Sequence, residues 1–200
     1  KESLAAKYSY NFSWLGRPAI QYPQDMLALQ ELIWAVRPEL IIETGIARGG
    51  SLVFYAAMLE LNAACGGPKD AEVLGVDVEI RPHNRKAIGE HPLSRRIKMI
   101  EGSSVDPAVA ARVAESACGR NSVLVILDSD HTHKHVLAEL NAYARLATAG
   151  SYCVVFDTVI EAMPADSFPG RPWGPGNSPA TAIAEFLRTH GEFEADARLQ

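Results

Sequence analysis

The sequence predicts an α/β fold, in which a mostly parallel sheet carries helices on both faces. Short apolar runs of four to six residues alternate with stretches of helical periodicity, the pattern of parallel strands joined by helical crossovers. Hydrophobic residues make up 48% and charged residues 22% of the chain, so the sequence can form an ordinary globular core. A length of 200 residues fits one domain of ordinary size.

Five apolar runs are the predicted strands of the sheet. They are Glu39–Thr44, Glu72–Val78, Arg96–Gly102, Ser122–Asp128 and Ser151–Asp157. The predicted helices are Pro23–Arg37, Ser51–Ala64, Pro82–Gly89, Pro107–Ala117, His131–Leu146 and Ala180–Thr189. A final strand is predicted at the end of the chain, from Phe193 onwards. Six side chains are expected to pack in the core because of their helical spacing: Leu27, Ile33, Trp34, Phe54, Tyr55 and Phe186.

Two regions stand out from this regular alternation. We divide the chain into an aromatic N-terminal arm, residues 1–22, and a domain of residues 23–200. The arm could cover a substrate pocket or pack against a second subunit, which would make a homo-oligomer. The other region, residues 161–179, is rich in proline and glycine, and a loop of this length within a domain is typical of a lid over a functional site.

Charge and cysteine content exclude several classes of protein. The formal net charge of −5 provides no basic surface for nucleic acid. No apolar run approaches the roughly 18 residues that span a bilayer, and the segment Lys1–Tyr10 has no apolar signal core. The three cysteines are far apart and form no CxxC pair, which favours a reducing compartment. We therefore expect a cytoplasmic protein without a membrane span.

Polar residues follow several predicted strands at the edge where open α/β sheets bind ligands. The glycine-rich turn Gly45–Ser51 is neither a GxGxxG fingerprint, because Ala47 replaces the middle glycine, nor a P-loop. The carboxylate of Glu43 beside this turn disfavours a pyrophosphate and suits a cationic ligand. Asp77, at the end of the next strand, could bind both hydroxyls of a ribose. These features together predict S-adenosylmethionine as the cofactor.

A second acidic group follows the fourth and fifth predicted strands. Asp128 and Asp157 would lie at neighbouring strand ends, where two carboxylates can share a Mg²⁺ ion. His131 could then accept a proton from a substrate hydroxyl. The alternative for Asp128 or Asp130 is to cap the following helix. A zinc site at His131 and His135 is disfavoured, because neither an HExxH glutamate nor a cysteine lies nearby.

The residue pattern as a whole resembles the cephalosporin hydroxylase family. The segments that carry the resemblance are ETGIARGGS, GVDVE, GSS, LDSDHTHKHVLAELNAYARLATAGSYCVVFDT and RPWGPGN, between about Trp14 and Phe193. Despite the label, members of this family are similar to class I S-adenosylmethionine-dependent methyltransferases, including sugar O-methyltransferases. The resemblance implies their Rossmann-like fold, with helices on both faces of the sheet.

The resemblance also implies a role for individual residues. The cofactor would be bound by Glu43, Thr44, Gly45, Ala47, Gly49, Gly50, Ser51, Asp77, Val78, Ser103, Ser104 and Asp128, with Ser103 and Ser104 near the adenine. His131 and Asp128 would be catalytic, and Asp128, Asp157 and Asp130 would be the metal ligands.

Two features depart from the family pattern. Phe156 stands where metal-dependent relatives carry a polar ligand before Asp157, so the metal site is either completed by Asp130, Glu161 or water, or the enzyme needs no metal. The chain also ends within the first strand of the expected C-terminal hairpin. We therefore expect the sheet to lack one C-terminal strand, which would lie beyond this sequence.

The expected function is methyl transfer from S-adenosylmethionine to a hydroxyl of a small molecule or sugar, with Mg²⁺ as a candidate second cofactor. Two alternatives stay open from the sequence. One is a non-haem iron hydroxylase, for which the histidines of HTHKH would supply ligands. The other is a cofactor-binding module without catalytic activity.

Overall fold

A five-stranded parallel sheet forms the centre of the molecule in the computed structural model, which describes residues 6–199. The strands are β3 Leu40–Thr44, β4 Glu72–Asp77, β5 Ile97–Glu101, β6 Val123–Leu127 and β7 Cys153–Val155, and their order across the sheet is β5-β4-β3-β6-β7. Two further strands, β1 Phe12–Trp14 and β2 Arg17–Ala19, pair as an antiparallel hairpin in the arm. The predicted parallel α/β fold is confirmed.

Within residues 6–199, six helices cover the two faces of this sheet. They are α1 Pro23–Val36, α2 Gly50–Ala64, α3 Pro82–Gly89, α4 Pro107–Ala117, α5 His133–Tyr143 and α6 Pro179–Thr189. Alternate residues of β3 point to opposite faces, as expected for a strand. Ile41 packs in a cluster with α1, α2 and α3, whereas Leu40 and Ile42 pack in a second cluster with α4, α5 and α6. Both faces of the central strands are therefore buried.

The prediction of a final strand was wrong for the residues that the structure describes. Ala197–Leu199 form a 3₁₀ turn, and Gln200 lies outside the described residues. Phe193 packs against Phe186, 5.4 Å between ring centroids, and Asp196 accepts a hydrogen bond from the Tyr152 hydroxyl. Side-chain contacts, rather than strand pairing, therefore hold this segment. Within residues 6–199, no antiparallel strand borders β7.

Two of the six predicted core side chains are exposed. Leu27 is 61% and Trp34 is 46% exposed, and the guanidinium of Arg37 lies over the Trp34 ring at 5.0 Å. The buried side of α1 is narrower than the periodicity suggested, because Leu29, Leu32 and Ile33 are buried and Met26 is only partly so. Ile33, Phe54, Tyr55 and Phe186 are buried as predicted.

The arm packs against the domain that follows it. Trp14 meets Phe54 of α2 edge-to-face, with 4.9 Å between ring centroids. Arg17 donates a hydrogen bond from Nε to the carbonyl oxygen of Arg48, at 3.1 Å. Pro18 runs so close to the first residue of α2 that a Cβ atom on Gly50 would overlap the Pro18 carbonyl group. The hairpin formed by β1 and β2 is thus held by the glycine-rich turn and α2, and Lys1–Ala5 lie outside the described residues.

No helix within residues 6–199 combines the length and apolar character needed to cross a bilayer.

The contact between arm and α2 leads to a first prediction. Gly50→Ala should lower the free energy of unfolding by about 1–3 kcal/mol, because the added methyl group must push the Pro18 backbone away. Urea unfolding measures this loss, and limited proteolysis should cut the loosened arm faster. Gly89→Ala is the matched control, since the space around this helical glycine is open, and we expect it to be neutral or stabilising by up to about 1 kcal/mol. Equal stability of the two variants would contradict the packing described here.

Candidate active site

The turn after β3 forms one wall of the candidate site. Gly45 has φ +93° and lies so close to the end of β6 that a Cβ atom would overlap the Asp128 carbonyl oxygen. Ile46 and Ala47 donate their backbone N–H groups to Oδ2 of Asp77, at 2.8 and 3.0 Å. The Asp77 carboxylate therefore fixes the turn, while the glycine allows the ends of β3 and β6 to meet.

Glu43 lies beneath the same turn and is completely buried. Its two carboxyl oxygens accept hydrogen bonds from Ser51 Oγ at 2.7 Å and Tyr55 Oη at 2.9 Å. Burial raises the pKa of Glu43 to about 8, although both hydrogen bonds act in the opposite direction. Glu43 thus connects the turn to α2 from inside the protein.

A cavity of about 260 Å³ opens at the carboxyl ends of β3 to β6. Its lining residues are Gly45, Val76, Asp77, Val78, Ser103, Ser104, Ser129, Asp130 and His135. Five of the predicted cofactor residues are in this lining, namely Gly45, Asp77, Val78, Ser103 and Ser104. The other predicted positions in β3 and the turn are Glu43, Thr44, Ala47, Gly49, Gly50 and Ser51, and the structure places them next to the lining rather than in it.

Three side chains beside this cavity form the one group of three or more His, Cys, Asp or Glu within residues 6–199 that could hold a metal ion. They are Asp128, His131 and Asp157, whose candidate ligand atoms all lie within 4.8 Å of one another. His131 Nε2 is 3.3 Å from Asp157 Oδ2. Loss of hydration raises the pKa of Asp128 well above its usual range, and the nearby carboxylates of Asp157 and Glu43 raise it further. The surroundings therefore favour the protonated form of Asp128 as long as no cation is bound.

The structure keeps the other predicted metal ligands away from this group. Asp130 accepts hydrogen bonds from the backbone N–H and hydroxyl of Thr132, and Thr132, rather than an aspartate, is the N-cap of α5. Glu161 accepts hydrogen bonds from Gly176 N and Ser178 Oγ. Phe156 packs against the core. His131 is therefore the third side chain of this group, and neither Asp130 nor Glu161 belongs to it.

The three histidines of HTHKH, His131, His133 and His135, point in different directions. His133 contacts Asn177, Thr181 and Glu185, because α5 begins at His133 and turns its side chain towards α6. His135 points to the opposite side, where it lies near Ser104. Within the described residues, no group of two histidines and one carboxylate is formed.

Sequence reasoning missed Gln21, the arm residue that reaches the acidic group. Its Nε2 donates a hydrogen bond to Asp128 Oδ2 at 2.9 Å. Its Oε1 is buried and has no hydrogen-bond partner in the protein. The contact joins positions 107 residues apart, and no local pattern around Gln21 could have indicated it.

The loop after β7 forms a fixed rim rather than a free lid. Asn177 accepts a hydrogen bond from His133 N at 2.9 Å, and its Nδ2 donates to the carbonyl oxygen of Pro172 at 2.6 Å. Trp173 is thereby held edge-to-face against His131, with 4.9 Å between ring centroids, and Arg171 lies over the Trp173 ring. The Trp173 side chain therefore lies beside the group of Asp128, His131 and Asp157.

Comparison with known proteins gives matches along almost the whole chain. A family model described as "Rhamnosyl O-methyltransferase/CmcI" matches residues 6–200. The rhamnosyl O-methyltransferase of Mycobacterium tuberculosis (strain ATCC 25618 / H37Rv) is 37% identical over 158 residues, which are 76% of this chain and 57% of that protein. The enzyme of the same name from Mycobacterium leprae (strain TN) is 33% identical over 190 residues, or 92% of this chain and 74% of that protein. The chain thus spans little more than half the length of the first of these relatives.

Among solved structures, the chain resembles the MycE methyltransferase of the mycinamycin biosynthetic pathway, determined in complex with Mg and SAH. The TM-score is 0.58 at 17% identity, over 98% of this chain and 47% of MycE. At this identity the likeness establishes a common fold.

The buried Glu43 leads to a second prediction. Its folded-state pKa of about 8 lies above the ordinary value of 4.5, so the folded protein binds the proton more tightly, and stability declines as pH rises between these values. Glu43→Gln has no such proton to lose. Its free energy of unfolding relative to the wild type should increase by a few kcal/mol between pH 5 and pH 8.

Urea unfolding at several pH values measures this difference. Glu79→Gln, at an exposed position in the next loop, should follow the wild-type pH dependence. Parallel curves for Glu43→Gln and the wild type would mean that Glu43 is already ionised at pH 5.

Proposed function

This chain belongs to the rhamnosyl O-methyltransferase/CmcI family, and we propose that it transfers a methyl group from S-adenosylmethionine to a hydroxyl group of a sugar or other small molecule. The observation that carries the proposal is the position of Asp128 between the candidate metal site and the cavity. Asp128 belongs to the group of Asp128, His131 and Asp157, and the next two residues, Ser129 and Asp130, line the cavity. A cofactor pocket and a candidate metal site thus share one strand end.

The cavity has the chemistry that S-adenosylmethionine requires. The carboxylates of Asp77 and Asp130 line it. After the larger effect of burial, repulsion from Asp157 raises the pKa of Asp25, and repulsion from Asp157, Glu43, Glu139 and Asp25 raises the pKa of Asp128. A positively charged sulfonium relieves this repulsion, whereas a pyrophosphate would increase it. Asp77 would bind the ribose, and Gly45 would let the methionine part approach the backbone.

The acidic group fits a hard divalent cation. Asp128 and Asp157 would hold Mg²⁺ through carboxylate oxygens, the ligands this ion prefers. The ion would lower the pKa of an acceptor hydroxyl bound to it. MycE, which has the same fold, was determined with Mg and SAH.

His131 is the proposed general base. Its Nε2 lies 3.3 Å from Asp157, and Trp173 fixes the plane of the ring. An unprotonated Nε2 would accept the proton of the acceptor hydroxyl as the oxygen attacks the methyl carbon and the bond from carbon to sulfur breaks. Most of the rate would come from holding that oxygen in line with the methyl group. Trp173 and Arg171 would bound the acceptor site, with Trp173 offering an apolar surface to a sugar ring.

We also propose a reducing, cytoplasmic setting, because Cys65, Cys118 and Cys153 are all free thiols. A homo-oligomer stays a prediction. So does the division into an arm of residues 1–22 and a domain of residues 23–200.

Calorimetry with S-adenosylhomocysteine tests the cofactor. We expect micromolar binding, about −8 kcal/mol. Asp77→Ala should lose about tenfold or more in affinity, because the ribose loses its acceptor and the turn after β3 loses the hydrogen bonds that fix it. Glu79→Ala, two residues away and exposed, is the control and should bind as the wild type does. Absence of wild-type binding would refute the proposal.

A second experiment separates the metal ligands from the base. Asp157→Asn should abolish Mg²⁺ binding measured by calorimetry, whereas His131→Gln should retain it within about threefold. With a panel of glycosides that includes a rhamnoside, His131→Gln should reduce kcat by about 10²–10⁴, the range for a lost general base. Loss of Mg²⁺ binding in His131→Gln would instead make His131 a metal ligand.

A further inference from the structure

A histidine in the cavity lining, His135, has a set of contacts that the proposed reaction does not use. His135 Nε2 lies 3.1 Å from Ser104 Oγ, 3.3 Å from Ser129 Oγ and 3.6 Å from Glu139 Oε1. Ser129 Oγ in turn donates to Glu139 Oε1 at 2.7 Å. Three elements therefore converge on one ring nitrogen: the loop after β5, the loop after β6 and helix α5.

Glu139 anchors this arrangement from inside the protein. It is 1% exposed, and its Oε2 is buried without a hydrogen-bond partner in the protein. A buried carboxylate with an unsatisfied oxygen is costly, so it calls for a specific explanation. Its evident effect is on His135, since the Glu139 carboxylate is the main cause that raises the pKa of the imidazole.

His135 belongs to the cavity lining, and its side chain is 25% exposed. Within residues 6–199, no protein group forms a hydrogen bond with Nδ1. Ser104, which contacts the ring, is itself held in place because the Tyr143 hydroxyl donates to its carbonyl oxygen. The ring is thus presented to a ligand in one fixed orientation.

We propose that His135, oriented by Glu139, recognises the polar edge of the adenine base and so determines the base specificity of the cofactor site. This inference rests on the proposed use of S-adenosylmethionine. Asp77 occupies the part of the lining suited to a ribose, and the acidic group lies where the reaction would take place. His135 is the ring in the lining that remains for the base. Its Nδ1 can form one hydrogen bond with N1 or the amino group of adenine, the two positions at which hypoxanthine differs. Glu139 is a positioning residue in this scheme.

The test compares two ligands that differ only at the base edge. S-inosylhomocysteine carries a carbonyl oxygen in place of the adenine amino group, so its donors and acceptors are rearranged. Calorimetry on the wild type should show that S-adenosylhomocysteine binds at least about tenfold more tightly than S-inosylhomocysteine. A difference of this size is expected when one well-placed hydrogen bond is lost and its partner is left unpaired. His135→Phe should bind S-adenosylhomocysteine about tenfold more weakly and S-inosylhomocysteine within about twofold, so that the preference disappears.

Two further variants test the role of Glu139 and the specificity of the effect. Glu139→Gln should reduce the preference for S-adenosylhomocysteine over S-inosylhomocysteine, but by less than His135→Phe does, because the His135 ring stays in place and loses only its charged partner. His83→Phe, at an exposed position in α3, should leave both affinities unchanged. If His135→Phe does not fold, His135→Gln takes its place, and the ¹⁵N shift of the wild-type His135 ring should move with S-adenosylhomocysteine and not with homocysteine.

The outcomes separate the two proposals. If the wild type binds neither nucleoside, the proposed function fails. If it binds S-adenosylhomocysteine and His135→Phe weakens both ligands equally, or neither, the role assigned to His135 is refuted while the proposed function stands.

Discussion

Mutual repulsion among carboxyl groups at one edge of the sheet is the constraint on which the candidate site depends. Asp128 is surrounded by the carboxylates of Asp157, Glu43, Glu139 and Asp25, all of which raise its pKa after the larger effect of burial. A folded protein keeps such a group only if the charge is neutralised, either by protons or by a positively charged ligand. Burial of Glu43 and the close approach of β3 to β6 at Gly45 hold the carboxyl groups together. The same structure therefore costs stability when empty and favours a cation when one is present.

The sequence was sufficient for those parts of the fold that depend on local pattern. Strands β3 and β6 are continuous apolar runs and were predicted to within one or two residues, because both of their faces are buried. The parallel order then placed Asp77, Ser104, Asp128 and Asp157 at one edge, as the general rule for open α/β sheets requires. Local pattern could not show which side of α1 faces the core, so the exposure of Trp34 was missed. The prediction of a final strand was wrong because Phe193 packs against Phe186 of α6 instead of pairing in the sheet.

The individual contacts of the site were less predictable than its position. His131 was expected as a base, but only the geometry shows that it completes a group of three with Asp128 and Asp157, while Asp130 turns towards Thr132. Nothing in the sequence around Gln21 or Glu139 indicated a role in the site, since an isolated glutamine and a glutamate within a helix are both common. Their importance comes from partners that are distant in the chain or on the next turn of a helix. Functional residues at strand ends can thus be predicted from the sequence, whereas the side chains that position them are identified only from the three-dimensional structure.

The hydrogen bond from Gln21 to Asp128 has a practical consequence for dissecting the protein. A boundary drawn at Pro23 from composition alone removes the amide of Gln21, which donates a hydrogen bond to Asp128. Such a fragment leaves Asp128 with one hydrogen-bond donor fewer. Circular dichroism reports helix content and would not register this loss at the candidate site. For this chain, retained helicity is therefore a poor criterion for choosing where an expression fragment begins.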